Sequence, residues 1–247
     1  MPSARGTAPR GRVPRGYGQF CPIAKSLQVL GGRWTLLIVR DMLLGGAERF
    51  NELANGLPRL SRGVLSERLR QLQRAGIVAR SDDAPDGRPS YRLTQAGREL
   101  RPVIEALLAW GAAWAFDDPD EDDLDPVLLM WWVRGGVATD RLPDRRTVVE
   151  FAFRGVDRRF WLVLDATDAS LCLQRPRFDV DVRVDADLAA FFDVWLGRRP
   201  YRDATEAGAI VVDADPELAQ AFPDWFDGSP TAAAMRAARN ARSSPRG

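Results

Sequence analysis

Between Ser61 and Gly76, leucines recur at positions 65, 69 and 72, a spacing of i, i+4, i+7 that a helix places on one face. That face must be buried, so the opposite side of the same helix is fixed as well. Ser61 suits the N-cap, and Gly76 suits the positive-φ residue that stops a last turn, with Ile77 and Val78 continuing the apolar surface beyond it. The outward positions are Gly63, Ser66, Glu67, Arg70 and Arg74, with Arg62 beside the N-terminus and Arg68 on the flank. Small, hydroxyl and guanidinium groups allow close approach, read base edges and hold phosphate oxygens. Taken alone, the segment also fits an ordinary solvated amphipathic helix.

The flanks favour the DNA reading. Upstream, Phe50, Leu53, Ala54 and Leu57 follow i, i+3, i+4, i+7 and predict a short helix ending near Gly56 and Pro58, so two helices meet across a tight turn. Downstream, VARSDDAPDGRPSYRLT predicts two strands joined by a turn at Asp86-Gly87, a wing with Arg80, Arg88 and Arg92 on its stems and tip. Before these, CPIAKSLQVLGGRWTLLIVRDMLLGG predicts two further helices separated by Gly31-Gly32, with Trp34, Leu37, Ile38 and Leu44 in the core. The candidate DNA contacts are Arg59, Ser61, Arg62, Ser66, Arg68, Arg70 and, on the wing, Arg88.

The run from Cys21 to Trp114 resembles the HxlR-type winged helix-turn-helix transcriptional regulators in four ordered blocks: CPIAKSLQVLGGRWTLLIVRDML, RFNEL, LSRGVLSERLRQLQRAGIV and YRLTQAGREL. The resemblance implies a mainly α winged helix-turn-helix domain that binds double-stranded DNA as a homodimer. It departs from the family at the wing, where PDGRPS replaces a turn containing Pro-Pro. Cys21 stands at the family's N-terminal cysteine position, which some relatives use as a redox switch, and is the candidate redox residue. In TQAGRELRPVIEALLAWGAAWA, Leu100, Val103, Leu107, Trp110 and Trp114 alternate at three and four residues, the a/d spacing of a helix packed on another helix, with Pro102 as a kink point. Two tryptophans late in such a helix suit a dimer seam, and a two-fold dimer calls for an inverted-repeat operator.

Charge divides the chain at the end of that helix. Residues 1–116 carry 18 Lys and Arg against 9 Asp and Glu, and residues 117–247 carry 17 against 25, so +9 and −8 lie concealed in a total of +1. The basic part fits a polyanion partner, and the acidic part does not. Residues 1–19 read as a disordered basic arm, 20–116 as the DNA-binding and dimerisation domain, and 117–125 as a solvated acidic linker. A Ca²⁺ loop is the alternative for the linker, but the glycine and terminal glutamate of an EF-hand are missing. Residues 126–227 form a second domain, and 228–247 a flexible tail.

In the second domain, TVVEFAFRGV, RRFWLVLDAT and ASLCLQR are strand candidates. FDVDVRVD alternates so that Phe178, Val180, Val182 and Val184 share one side, and an antiparallel meander is expected. DLAAFFDVWLG then predicts a helix, and AGAIVVDADPELAQAFPDWF a last strand and helix, giving an α+β domain with helices on one side of the sheet. Val182 to Val184, Leu196-Gly197-Arg198, Ala207-Gly208 and Asp213 to Asp215 resemble the diffuse signature of sterol carrier protein 2-like domains. The resemblance implies a cavity for an apolar, lipid-like ligand. Phe151, Phe153, Trp161, Phe191, Phe192 and Trp195 are the candidate lining, although a filled core accounts for them equally well.

Catalysis finds little support. The chain has no histidine, which removes the commonest general base and the commonest metal ligand, and its two cysteines are too far apart in sequence to make a zinc site by themselves. Cys172 lies between Leu171 and Leu173 and reads as a small hydrophobe. No cofactor, metal or catalytic residue is expected, no secretion signal is evident, and PVLLMWWV is too short to span a bilayer, so a cytoplasmic protein is expected. The reading is a DNA-binding regulator. The alternatives are a lipid carrier whose winged half serves for dimerisation, and an enzyme using carboxylates of the acidic domain.

Overall fold

The computed structural model describes residues 16–82, 88–120 and 123–243. Most of the basic arm, the wing turn at Asp86-Gly87 and two of the linker carboxylates, Glu121 and Asp122, lie outside these residues. The first part runs α1 (Pro22–Leu30), α2 (Thr35–Leu44), α3 (Phe50–Gly56), α4 (Arg62–Arg74), β1 (Val78–Ser81), β2 (Ser90–Leu93), α5 (Gln95–Arg98) and α6 (Arg101–Trp114). Its core is the leucine stripe of α4, Leu65, Leu69 and Leu72, packed with Ile38, Val39 and Met42 of α2, Leu53 of α3 and Ile104 of α6. Leu37, expected inside, is exposed, because α2 turns Ile38, Val39 and Met42 inward instead.

Both ends of α4 are set by local chemistry. The Ser61 hydroxyl accepts from the Val64 amide at 3.3 Å, satisfying a donor that the first turn leaves open. At the other end Gly76, with φ +71°, donates to Gln73 O while Ile77 donates to Leu72 O, a Schellman motif that needs its left-handed residue. β1 and β2 are antiparallel, pairing Val78 with Leu93 and Ser81 with Ser90. Arg49 bridges to Ser90, and the Tyr91 amide donates to Glu48 O, so the segment before α3 adds a short third member to the wing. The expected kink at Pro102 is not formed. The helix breaks earlier, between α5 and α6, and Pro102 lies in the first turn of α6, where its missing N–H leaves no helical bond unmade.

The second part runs α7 (Pro126–Gly135), β3 (Thr147–Phe153), β4 (Arg159–Asp165), β5 (Asp168–Cys172), β6 (Val182–Ala186), α8 (Leu188–Trp195), α9 (Tyr201–Glu206), β7 (Ile210–Ala214), α10 (Pro216–Ala221) and α11 (Ala232–Ser243). The sheet order is β5-β4-β3-β6-β7. It is mixed rather than an antiparallel meander, because β6 lies parallel to β3 with Val149 opposite Val182. Residues 173–181 carry the chain past β4 and β3 to reach that position, a crossover that hydrophobic alternation does not encode. The alternation itself is used only from Val182 onward. Phe178 is exposed beneath the Arg146 guanidinium at 4.5 Å, and Asp181 turns its carboxylate to the Val148 amide at 2.8 Å.

Val149, Phe151 and Phe153 face the helices, with Phe160, Leu162, Val182 and Val184 beside them and α7, α8 and the 3-10 turn Phe222–Trp225 above. Glu150, alternating with these residues, belongs to the opposite face. It is buried there with its carboxylate satisfied by Arg159 and by the Trp161 indole N–H at 2.9 Å. Where a flexible tail is expected, α11 is a helix. Its Met235 and Ala238 pack on Ala112 of α6.

The two parts also meet at α2, α3 and α7. Asp41 has a carboxylate only 12% exposed, in contact with Arg40 at 2.6 Å, while its buried Oδ2 has no hydrogen-bond partner among the described residues. A Cβ on Gly56 would come within 2.5 Å of that Oδ2, and within 3.8 Å of Trp131 of α7. Burial pushes the Asp41 pKa up from 3.8 to about 6, against the lowering effect of Arg40. The folded state therefore holds the proton more tightly than the unfolded chain. Stability falls as pH rises from about 4 to about 6, and the whole penalty is present above that window. Two pH units correspond to about 3 kcal/mol at about 1.4 kcal/mol per unit, as an order of magnitude. Asp41→Asn is expected to stabilise the protein by about 1–3 kcal/mol at pH 8 and by close to nothing at pH 4. Urea unfolding at the two pH values checks this, and an equal effect at both would refute the assignment.

Candidate nucleic-acid interface

Helices α3 and α4 are joined by Leu57–Ser61, in which Leu57 and Leu60 are buried and the Leu60 amide donates to Leu57 O. The turn is thus pinned from below, and α4 stands with its polar side outward. Arg62, Ser66 and Arg70 follow one another at i, i+4, i+8 along one edge of that side. Arg62 is steadied by its neighbours. Its Nη1 donates to Asn51 Oδ1 at 3.0 Å, and its guanidinium lies 5.6 Å from the centre of the Phe50 ring. Arg70 folds back on Glu67 at 3.1 Å, and Arg74 reaches the same carboxylate at 3.2 Å. Both pairs are solvent-exposed and worth little, so a phosphate can compete for either guanidinium.

The other sequence candidates are dispersed. Arg59 is exposed in the turn before α4, and the Ser61 hydroxyl is engaged as the helix cap. Arg68 turns away from that edge, donating to Arg33 O at 3.1 Å and to Gln71 Oε1 at 2.6 Å, and so ties α4 to the turn before α2. Arg88 is exposed just beyond the Ser81–Ser90 pair, on the turn side of the wing strands, its carbonyl accepting from Arg49 Nη1 at 2.7 Å. Asn51 and Arg49 escape a reading confined to one helix. Glu67 was accessible through its i+3 and i+7 spacing to Arg70 and Arg74, whereas the Asn51 and Arg49 contacts join segments distant in sequence.

A second surface feature lies on α6 and α1. Val103, Leu107, Trp110 and Trp114 of α6 are exposed, the tryptophans at 61% and 68%, and Ile23 and Leu27 of α1 are exposed too. Leu100, the first residue of the expected seam, packs against the winged core instead. Cys21 is partly exposed at the N-cap position of α1.

In the second part, Phe151, Phe153, Phe191, Phe192 and Trp195 are buried in one cluster. Phe151 and Phe153 stand edge to face against Phe191 at 5.8 and 5.6 Å, and Phe192 against Trp132 at 6.4 Å. Trp161 is on the opposite face of the sheet, bonded to Glu150. Only Phe191 and Trp195 of the six border a cavity, of about 350 Å³, that opens between α8, the start of α9 and α11. No group of three or more potential metal ligands occurs among the described residues.

Residues 29–119 match the HxlR-like helix-turn-helix family. The HTH-type transcriptional regulator YvaP of Bacillus subtilis is 40% identical over 99 residues, 39% of this chain and 90% of its own length. The HTH-type regulator sll1512 of Synechocystis is 38% identical over 99 residues, 39% of this chain and 72% of its own. The reduced form of the transcriptional regulator YodB from B. subtilis aligns over 40% of this chain and all of its own, with 31% identity and a TM-score of 0.34. The chain belongs to the HxlR-like helix-turn-helix family and is a transcriptional regulator with a winged DNA-binding fold in its N-terminal part.

Proposed function

We propose that the protein acts as a homodimer on an inverted-repeat operator, with α4 in the major groove and the β1–β2 wing alongside. The observation that carries this reading is the edge formed by Arg62, Ser66 and Arg70 on a helix whose opposite face is wholly committed to the core. A side that lies outside the core and presents guanidinium and hydroxyl groups in line is suited to base edges and phosphates. Arg59 and Arg88 flank it as phosphate contacts, Ser61 sets the helix start, and Arg68 holds the helix in place. The exposed faces of α1 and α6 form the seam between protomers, burying Trp110 and Trp114. Cys21, at the start of α1, would report oxidation to the same seam.

In this reading residues 20–116 are the DNA-binding and dimerisation domain, 117–125 the linker, and 126–227 a sterol carrier protein 2-like domain whose apolar, lipid-like ligand modulates DNA binding. The protein works in the cytoplasm without membrane insertion; no helix among the described residues is long and apolar enough to cross a bilayer. Its relatives are named as regulators, and no catalytic role is proposed.

Arg62→Ala or Arg70→Ala is expected to weaken operator binding by about 1–3 kcal/mol where a base-edge contact is lost, and to relax sequence preference at one position. Arg88→Ala is expected to weaken binding evenly across sequences and to reduce the salt slope. Anisotropy titrations with operator and scrambled duplexes separate the two patterns, and unchanged affinity in a folded Arg62/Arg70 double variant would refute the placement of α4. Replacing Trp110 and Trp114 together by glutamate is expected to give a folded monomer whose operator affinity collapses, because each half-site loses the effective concentration supplied by its partner. A wild-type protein that is already monomeric at micromolar concentration by light scattering would count against the seam.

A further inference from the structure

The cavity of about 350 Å³ lies apart from the DNA face and has two unlike halves. Its inner wall is aromatic, built from Phe191, Trp195, Phe222 and Phe226. Its mouth carries Arg199 and Arg236. Arg199 enters on the segment that leaves α8, where Gly197, at φ +73°, closes the helix by donating to Val194 O while Arg198 donates to Asp193 O. Gly197 is also where α11 comes close: a Cβ there would lie 2.9 Å from the Ala232 Cβ and 3.1 Å from Arg236 Nη1. A side chain at Gly197 would crowd the Arg236 guanidinium, which lines the same cavity.

The charges at the mouth are not balanced within it. The one carboxylate lining the cavity, Asp227, is held by Arg141 at 2.6 Å, and Asp193 nearby is held by Arg198 at 3.3 Å. Arg199 donates one Nη2 bond to Asp203 O at 2.9 Å, which uses a donor without cancelling charge. Arg236 makes no hydrogen bond or ion pair among the described residues. Tyr201 adds a phenol to the lining that likewise has no hydrogen bond there, and burial raises its pKa, so it remains a donor at neutral pH. Two guanidinium groups and a phenol above an aromatic wall have the donor set of an anion site and the floor of an apolar one. A volume near the lower end of the usual range of about 300–1,000 Å³ admits one ring or a medium-length acyl chain rather than a sterol-sized body.

We infer that this cavity binds a compact hydrophobic anion, with its tail against Phe191, Trp195 and Phe222 and its head between Arg199 and Arg236, and that α11 carries occupancy to α6. The second clause rests on the regulator reading above. Arg236 and Met235 are adjacent on α11, one at the cavity mouth and the other packed against Ala112 of α6, so a shift of the helix at one surface moves the other. Such coupling requires the anion to favour one of the two dimer arrangements, since equal affinity for both would shift nothing.

The test uses the full-length protein with decanoate, decyl phosphate and decanol, first without DNA, by isothermal calorimetry. Saturable binding of either anion at least tenfold tighter than decanol is expected, and the carboxylate-to-phosphate ratio tells which head the site prefers. The Arg199→Ala/Arg236→Ala variant, checked for folding by circular dichroism, is expected to lose that tenfold preference while retaining decanol affinity. Equal binding of anions and alcohol, no binding, or an unchanged preference in the variant would overturn the site. A saturating anion is then expected to change operator affinity at least fivefold in wild type and less than twofold in the variant. Binding with unchanged operator affinity would overturn the coupling through α11. Failure of the apoprotein to bind DNA at all would be seen before any anion is added, and would count against the regulator reading alone.

Discussion

Helix α6 has to meet three surfaces at once, and the rest of the molecule is arranged around it. Ile104 enters the winged core with the leucines of α4, Ala112 receives Met235 and Ala238 of α11, and Val103, Leu107, Trp110 and Trp114 are left facing solvent. The small residues Ala112 and Ala113 give α6 a shallow side on which Met235 and Ala238 of α11 lie. A larger residue at Ala112 would push α11 away without disturbing the leucine stripe. The DNA-binding core and the C-terminal part are therefore coupled through one helix, and again through the Asp41, Gly56 and Trp131 contact at α3 and α7.

This arrangement explains which parts were legible in the sequence. The leucine stripe, the Ser61 cap and the Gly76 stop of α4 are local signals, each decided within a turn or two, and the structure contains all three. The sidedness of α2 is less local. The positions of Ile38, Val39 and Met42 relative to Leu37 depend on where α4 approaches, and the apolar character of all four gives no guide. Likewise the alternation in FDVDVRVD marks a strand but not its partner, and the parallel pairing of β3 with β6 comes from a crossover of irregular chain. The C-terminal helix is not legible for a related reason. Its alanines and arginines carry little apolar area, and only a shallow partner such as Ala112 makes burying Met235 and Ala238 sufficient to hold it.

The candidate sites follow the same division. The edge of Arg62, Ser66 and Arg70 is a periodicity and was readable; the tethering of Arg68 to Arg33 O and of Arg62 to Asn51 is tertiary and was not. The sequence marks the aromatic residues of the second half as a group but does not show how they divide. Phe151, Phe153 and Phe192 fill the core, Trp161 serves the buried Glu150 on the far face, and Phe191 and Trp195 are left at a cavity whose charged mouth comes from Arg199 and Arg236. No pattern in the chain links Arg199 to Arg236. They converge because Gly197 lets α11 close over the end of α8.

Sequence-selective DNA binding by a two-fold dimer is the central proposal. Genomic fragments captured by the purified full-length protein, sequenced and then footprinted at several salt concentrations, test this most directly. An enriched inverted repeat, protection of two half-sites separated by one helical turn of about 10–10.5 base pairs or a multiple of it, and affinity that falls steeply with salt are expected. Capture without sequence enrichment, or a single protected site without two-fold symmetry, would contradict the proposal.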